Sequence, residues 1–343
     1  MSSKISDLIK KNNIKTLSII GLAKNTGKTV TLNKVIEDFF LMHKKVAVMS
    51  YGRDGEKYDL LTKLKKPPVK IHPNTYFVTA EKTVNDIKLK FKFIKDTNIQ
   101  STMGRVKIYK SLSEGEVQLV GINRSSQLKK IKEILIDQID YLIIDGALDR
   151  KSSALPILSD AVILTTGAVI GQDINKVVLK TKYEVKKLLT GSLKDEKDLL
   201  VLKDNYNKEN SLIWTKDNNI FSSKPLLSNL FLKNNMEILK GNRVNIKYIL
   251  LRGSFTNTTA NILINLGLEK ITVLVSDSTK IFLDQMVYNR LKKRNIKLKV
   301  LFKINLIAIT INPFNPYGKD FIASDFYKKI KEEFDIEVFN VKS

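Results

Sequence analysis

The chain has no cysteine among its 343 residues. That excludes disulfides, thiolate-held iron–sulfur clusters and thiolate zinc sites. Only two histidines are present, His43 and His72, so an imidazole-rich metal centre is excluded as well. No apolar run approaches the ~20 residues that a membrane-spanning helix requires, and the opening stretch MSSKISDLIKKNNIK lacks the apolar core of a secretory signal. The expected location is cytoplasmic, without a membrane partner.

Acidic residues are scarce relative to basic ones: 35 Asp and Glu against 59 Lys and Arg give a formal charge of +24. Such an excess raises nucleic acid or an acidic protein as a partner. The lysines are spread among Asn and Ile, with no basic tail or recognition helix, which disfavours nucleic acid without excluding it. Apolar residues at 43% and charged residues at 27% are those of a folded globular protein. The length allows one large α/β core or two smaller ones.

What is present is an alternation of apolar strands and amphipathic helices. TLSIIG (16–21) and KVAVMS (45–50) read as buried strands around a helix at about 28–43, the opening of a βαβ unit. Beyond a loop rich in Gly, Asp and Pro, a short strand is expected at 76–79, then a polar stretch with helical spacing, then strands in RVKIYKS and EVQLVGI. A helix near 125–137, DYLIIDGALDR, the strand AVILTTGA and a helix near 172–189 follow. The fold class implied is α/β, a P-loop NTPase with a mostly parallel sheet flanked by helices. Residues 1–189 are expected to form the nucleotide-binding domain, 190–240 an inserted or linking subdomain with a hairpin, and 241–343 a C-terminal α/β unit or an extension of the first sheet.

Gly21, Gly27, Lys28 and Thr29 have the spacing G-x₅-G-K-T, one residue longer than the usual Walker A interval. Gly27 lets backbone N–H groups approach phosphate oxygens, Lys28 adds charge at the β- and γ-phosphates, and the Thr29 hydroxyl suits Mg²⁺. Lys24, Asn25, Thr26 and Val30 complete the expected cradle. Asp145, closing an apolar strand, suits a Walker B aspartate that holds magnesium directly or through water. Asp54 in YGRDGE follows the second strand and is the candidate for positioning magnesium or the attacking water, with Glu56 a weaker competitor; a turn before Gly55 is its structural alternative. Arg53, Asp149 and Arg150 are candidates near the phosphates. Thr166 and Gly167 suit either a nucleotide contact or a strand-end turn. Lys24 stands one place after the position of the second lysine in deviant Walker loops, where this chain has Ala23. WTKDNN is a poor substitute for a guanine-reading N-K-x-D motif, so ATP is favoured over GTP.

The loop spacing is similar to that of dethiobiotin synthetase, and KNTGKT resembles the loop of molybdopterin-guanine dinucleotide biosynthesis proteins. Taken together, GLAKNTGKTVTLN, SYGRDGE, KPPVKIHPNTYFVTAE, DGALDRKSSALPILSDAVILTTGAVIG and NPFNPYGKDF resemble the KamB family, the ATP-binding subunits of lysine-5,6-aminomutase reactivases in amino-acid-fermenting bacteria. The resemblance implies an ATP- and Mg²⁺-dependent ATPase that acts with a second reactivase subunit. Its client would be an adenosylcobalamin-dependent aminomutase, from which it releases damaged cobalamin in exchange for intact cofactor. Three alternatives stand beside it: a biosynthetic ligase or kinase like dethiobiotin synthetase, a nucleic-acid-associated ATPase, and a noncatalytic nucleotide-binding module, against which the intact set of Lys28, Thr29 and Asp145 argues without excluding it. A homodimer is compatible with each of these readings.

Lys28→Ala removes a charge from a surface loop and disturbs no core. The variant is expected to lose Mg·ATP binding while keeping its fold; calorimetric titration with unchanged ATP affinity would remove the phosphate-loop assignment.

Overall fold

Residues 4–51, 68–85, 87–146, 158–224 and 227–341 are described by a computed structural model of the chain. Two units account for them, one formed by residues 1–182 with 305–343 and the other by residues 183–304.

The first unit begins with α1 (Ile5–Lys11), β1 (Thr16–Gly21), α2 (Lys28–Leu41) and β2 (Val46–Tyr51), followed by β3 (Val69–Ile71), β4 (Tyr76–Ala80), β5 (Phe91–Ser101), β6 (Gly104–Ser111) and β7 (Gly115–Val117). α3 (Ser125–Leu135), β8 (Tyr141–Gly146), β9 (Ala161–Gly167) and α4 (Ile174–Leu188) come next, and the unit boundary falls within α4. The second unit contains α5 (Glu196–Asn207), β10 (Ser211–Thr215), β11 (Ile220–Ser223), α6 (Ser228–Asn234), α7 (Met236–Gly241), β12 (Ile246–Leu250), β13 (Phe255–Thr256), α8 (Asn257–Asn265), β14 (Thr272–Val275), β15 (Ile281–Phe282), α9 (Gln285–Lys293) and β16 (Lys297–Val300). The chain then returns to the first unit as β17 (Leu306–Asn312), α10 (Ala323–Glu333) and β18 (Glu337–Asn340).

The large sheet has the order β18-β17-β9-β1-β8-β2-β4-β6-β5. It is parallel from β18 to β4, and β6 and β5 add an antiparallel hairpin at one edge. Strands covered on both faces have no polar side to show, which is why β1, β2, β8 and β9 are buried along their whole length. One face packs on α2, whose Leu32, Val35, Ile36 and Phe39 fall at the i, i+3, i+4, i+7 positions of a single stripe and are buried with Ile19, Val48, Ile143 and Ile163. Each such side chain contributes roughly 1.5–3 kcal/mol on burial. The other face packs on α3 through Leu128, Ile131 and Leu135 against Met49, Leu142 and Ile144.

The second unit has the order β11-β10-β12-β14-β16, antiparallel at the β10–β11 hairpin and at β10–β12, parallel from β12 to β16. α8 and α9 cover one face through Leu263, Ile264, Val287 and Leu291. On the other, Leu202 of α5 packs on Leu212, Trp214 and Tyr248. A polar knot sits beside this second core: the Tyr248 hydroxyl donates to Asp198 Oδ2 at 2.6 Å, and Lys247 Nζ lies 2.7 Å from the same oxygen. Lys247 also lies over the rings of Trp214 and Tyr248, at 5.3 and 5.1 Å from their centroids.

Four expectations change. Residues 91–101 form a long strand where helical spacing was expected: Thr97 and Ile99 are buried while Asn98 and Gln100 are exposed, a period of two, and Lys92 and Lys95 face outward. The 190–240 region is not a subdomain of its own; its hairpin joins the sheet of β12, β14 and β16. Nor is 241–343 one unit, since β16 and β17, adjacent in sequence, pair into different sheets. EVQLVGI supplies only a short strand ending at Val117, paired with β3. Among the described residues no helix is long and apolar enough to cross a membrane.

Burial pushes the Asp198 carboxyl up, but the hydrogen bonds from Lys247 and Tyr248 more than offset it and hold the group below its ordinary value. A lowered carboxyl stabilises the fold fully above the unfolded value of about 3.9 and loses that contribution as the pH falls through the folded value. Asp198→Asn is expected to lower stability by about 2 kcal/mol at neutral pH. In thermal unfolding from pH 7 to 3, the gap between wild type and variant should close below about pH 4.

Candidate functional site

All the parallel strands of the large sheet end on one edge, and β1 sits where the connections diverge. After β1 the chain crosses by α2 toward β2, whereas after β9 it leaves and returns as β17 on the opposite side. Crevices at such switch points, outside the carboxyl ends of the strands, are where open α/β sheets bind ligands.

The β1–α2 loop lies in this crevice, and its shape follows from three residues. Asn25 and Gly27 are left-handed, with φ of 62° and 96°. Gly27 is also the N-cap of α2, a position where it offers no side chain, so the first N–H groups of a fourteen-residue helix have no capping oxygen from it. α5, α8 and α9, by contrast, are capped by Asp195, Thr256 and Asp284. The third residue, Thr26, is buried and donates its hydroxyl to the Ala23 carbonyl at 2.9 Å. With that proton committed, the Thr165 hydroxyl is the donor in the 2.9 Å bond between Thr165 and Thr26. Leu22 N–H adds a 3.0 Å bond to the Thr165 carbonyl, fixing the loop to β9.

Gly21 explains the direction of Lys28. A Cβ at Gly21 would lie 2.9 Å from Lys28 Cγ, 3.0 Å from Lys28 Cδ and 2.5 Å from Thr26 Oγ1. The Lys28 stem therefore runs back across the start of the loop, toward the helix's amino end. Thr29 is buried on the first turn of α2, Val30 packs on the core beneath, and Lys24 is exposed at the loop tip.

β17 closes the loop from the far side. Asn312 Nδ2 donates to the Asn25 carbonyl at 3.1 Å, and Asn25 Nδ2 donates to the Tyr317 hydroxyl at 2.8 Å. Gly27 and Gly167 both lie against Asn312, where an added Cβ would meet its atoms at 3.0 and 2.9 Å. Deeper in the same face, the Thr31 and Thr310 hydroxyls share a 2.9 Å hydrogen bond between α2 and β17.

Strand register sets which other groups face the loop. Asp145 pairs with Ile19 on one side and Ser50 on the other, and Thr165 pairs with Gly21 and Thr310. In-register neighbours point to the same side of a sheet, so Ser50, Asp145, Thr165 and Thr310 share the α2 face with Ile19. Asp145 is 3% exposed. Thr166 points the other way and is engaged in a buried hydrogen bond with Thr181 at 2.8 Å, so Thr165 is the β9 residue that touches the loop.

Of the residues expected at the site, Gly21 ends β1, Lys24, Asn25, Thr26 and Gly27 lie in the loop, Lys28, Thr29 and Val30 form the first turn of α2, and Asp145 stands one residue before the end of the neighbouring strand β8. Arg53, Asp54, Glu56, Asp149 and Arg150 lie outside the described residues. WTKDNN spans the end of β10 and the β10–β11 hairpin turn, with Asn218 left-handed at φ 66°. Among the described residues no three His, Cys, Asp or Glu side chains cluster to hold a metal. The hydroxyl and carboxylate oxygens of Thr29 and Asp145 are hard donors of the kind Mg²⁺ takes when phosphate oxygens and waters fill its remaining positions. Sequence spacing missed Ser50, Thr165, Asn312 and Tyr317. No family model and no curated protein matches the chain.

Gly21→Ala is expected to displace Thr26 or Lys28 and to weaken nucleotide binding at least tenfold. The large sheet should remain intact, as judged by circular dichroism and thermal unfolding beside the titration.

Proposed function

We propose that the chain is a magnesium-dependent ATPase that works with a second subunit to reactivate an adenosylcobalamin-dependent aminomutase. The β1–α2 loop carries the ATP-binding part of this proposal: a left-handed Gly27 opens an uncapped helix, and the Lys28 stem lies across the loop toward it. Helix amino ends of this form attract phosphate through their N–H groups and dipole. The aminomutase client rests on the KamB-like segments alone.

In this scheme the loop N–H groups and Lys28 bind the β- and γ-phosphates, while Thr29 and Asp145 hold the ion. A magnesium ion held by the Thr29 hydroxyl and the Asp145 carboxylate would supply positive charge to the phosphates, and Lys28 would bear on the same oxygens while water displaces ADP from the γ-phosphorus. The exposed Tyr317, whose hydroxyl accepts from Asn25 of the loop, offers a ring face on which the base can stack. ATP binding favours one arrangement of the segments that meet the phosphates, hydrolysis releases it, and the client senses the difference.

The test is ATP hydrolysis by the pure protein, with and without its partner subunit, before and after adding aminomutase that carries inactivated cobalamin. Stimulation by the damaged enzyme with recovery of mutase activity is the expected result. ATP turnover that ignores the client would leave an ATPase with a different substrate.

A further inference from the structure

Ser50, one residue before the end of β2, is fully buried, yet its hydroxyl has no hydrogen-bond partner among the described residues. Buried hydroxyls are nearly always paired, because leaving one unsatisfied forfeits its hydration for nothing. Packing does not explain a serine here, since the positions behind it on the same face are Val46 and Val48. Gly121 lies flat on the Ser50 backbone, where a Cβ would come within 2.1 Å of the Ser50 carbonyl oxygen, so the strand end is covered on that side.

Register gives the hydroxyl a direction. Ser50 and Asp145 are paired neighbours on the α2 face, at the edge where the uncapped helix begins. The order β1-β8-β2 puts Asp145 between the loop and Ser50. Ser50 is thus one strand, about 4.8 Å, beyond the aspartate on the side away from the loop. A group there is too far from β1 to serve as a loop-side phosphate ligand. It stands where an ion held by Asp145 would keep its own water, and Mg²⁺ gives up its waters reluctantly.

We propose that the Ser50 hydroxyl is a positioning group for hydrated magnesium, hydrogen-bonding a metal-bound water beside Asp145. The inference rests on the ATP-site proposal and deepens it. Ser50 does not touch nucleotide; it acts through the water and so contributes only when the divalent ion is present. Outer partners of this kind orient the inner ones and account for a measurable part of metal affinity.

The test uses the full chain and a non-hydrolysable ATP analogue, titrated calorimetrically in Mg²⁺ and again in EDTA, for wild type, Ser50→Ala and Ser50→Thr. Ser50→Ala should leave the EDTA affinity unchanged and cut the Mg²⁺-dependent gain roughly five- to tenfold. Ser50→Thr, which keeps the hydroxyl, should restore much of it. With Mn²⁺ in place of Mg²⁺, water-proton relaxation by the bound ion should change in the alanine variant. Without ligand, Ser50→Ala should melt at or above the wild-type temperature, since it deletes an unsatisfied buried group. An undiminished Mg²⁺ gain in Ser50→Ala overturns the inference alone, and equal losses in both buffers assign Ser50 a packing role and overturn it too. A wild-type chain that binds the analogue in neither buffer overturns the ATP site and this inference together.

Discussion

The buried hydroxyl of Thr26 is the contact on which the candidate site depends. It satisfies the Ala23 carbonyl inside the loop and receives the Thr165 hydroxyl from β9, so one side chain both shapes the turn and ties it to the sheet. A loop with two left-handed residues has little intrinsic preference for one conformation. External hydrogen bonds to β9 and β17 supply that preference, each contributing about 0.5–1.5 kcal/mol net. The uncapped helix end is thereby held in one geometry by bonds from outside the loop.

A gradient along the strands serves the same end. At their amino ends the α2 face is Leu17, Val46, Ile143 and Ala161; at their carboxyl ends it becomes Ser50, Asp145, Thr165 and Thr310. Polar side chains buried at the end of a parallel sheet cost desolvation unless they are paired. Thr165 and Thr310 are paired with the loop and with α2, so part of this polarity holds the scaffold and part faces the crevice. The second unit shows the contrasting use of buried polarity, where Asp198, Lys247 and Tyr248 satisfy one another and lock a helix to a sheet.

Much of the first sheet was legible because its central strands are apolar runs closed by glycine or aspartate. TLSIIG, DYLIIDG and AVILTTG announce both their burial and their carboxyl ends, and the loop between Gly21 and Thr29 follows from the first of them. β5 was missed because its lysines hid a period-two pattern; lysines on an edge strand are a common guard against unwanted pairing. The division into units was not legible, because LKVLFKINLIAITINP reads as one apolar stretch and only long-range pairing sends its halves to different sheets. Thr165, Asn312 and Tyr317 escaped for a related reason. Their importance lies in touching a loop 139 to 292 positions earlier, which no local spacing encodes.

The late return of β17 has a consequence for how the molecule is made. β9 is flanked on one side by β1, but its other side is covered only when Leu306–Asn312 arrives, after the whole second unit. During synthesis from the amino end, the loop can form its bonds to Thr165 well before Asn312 and Tyr317 exist. The second unit, with its own core and mostly local strand connections, can fold while that edge of β9 is still open. A nascent chain therefore passes through a stage with a bare parallel edge and a half-fastened loop, and the last strands to emerge complete both together.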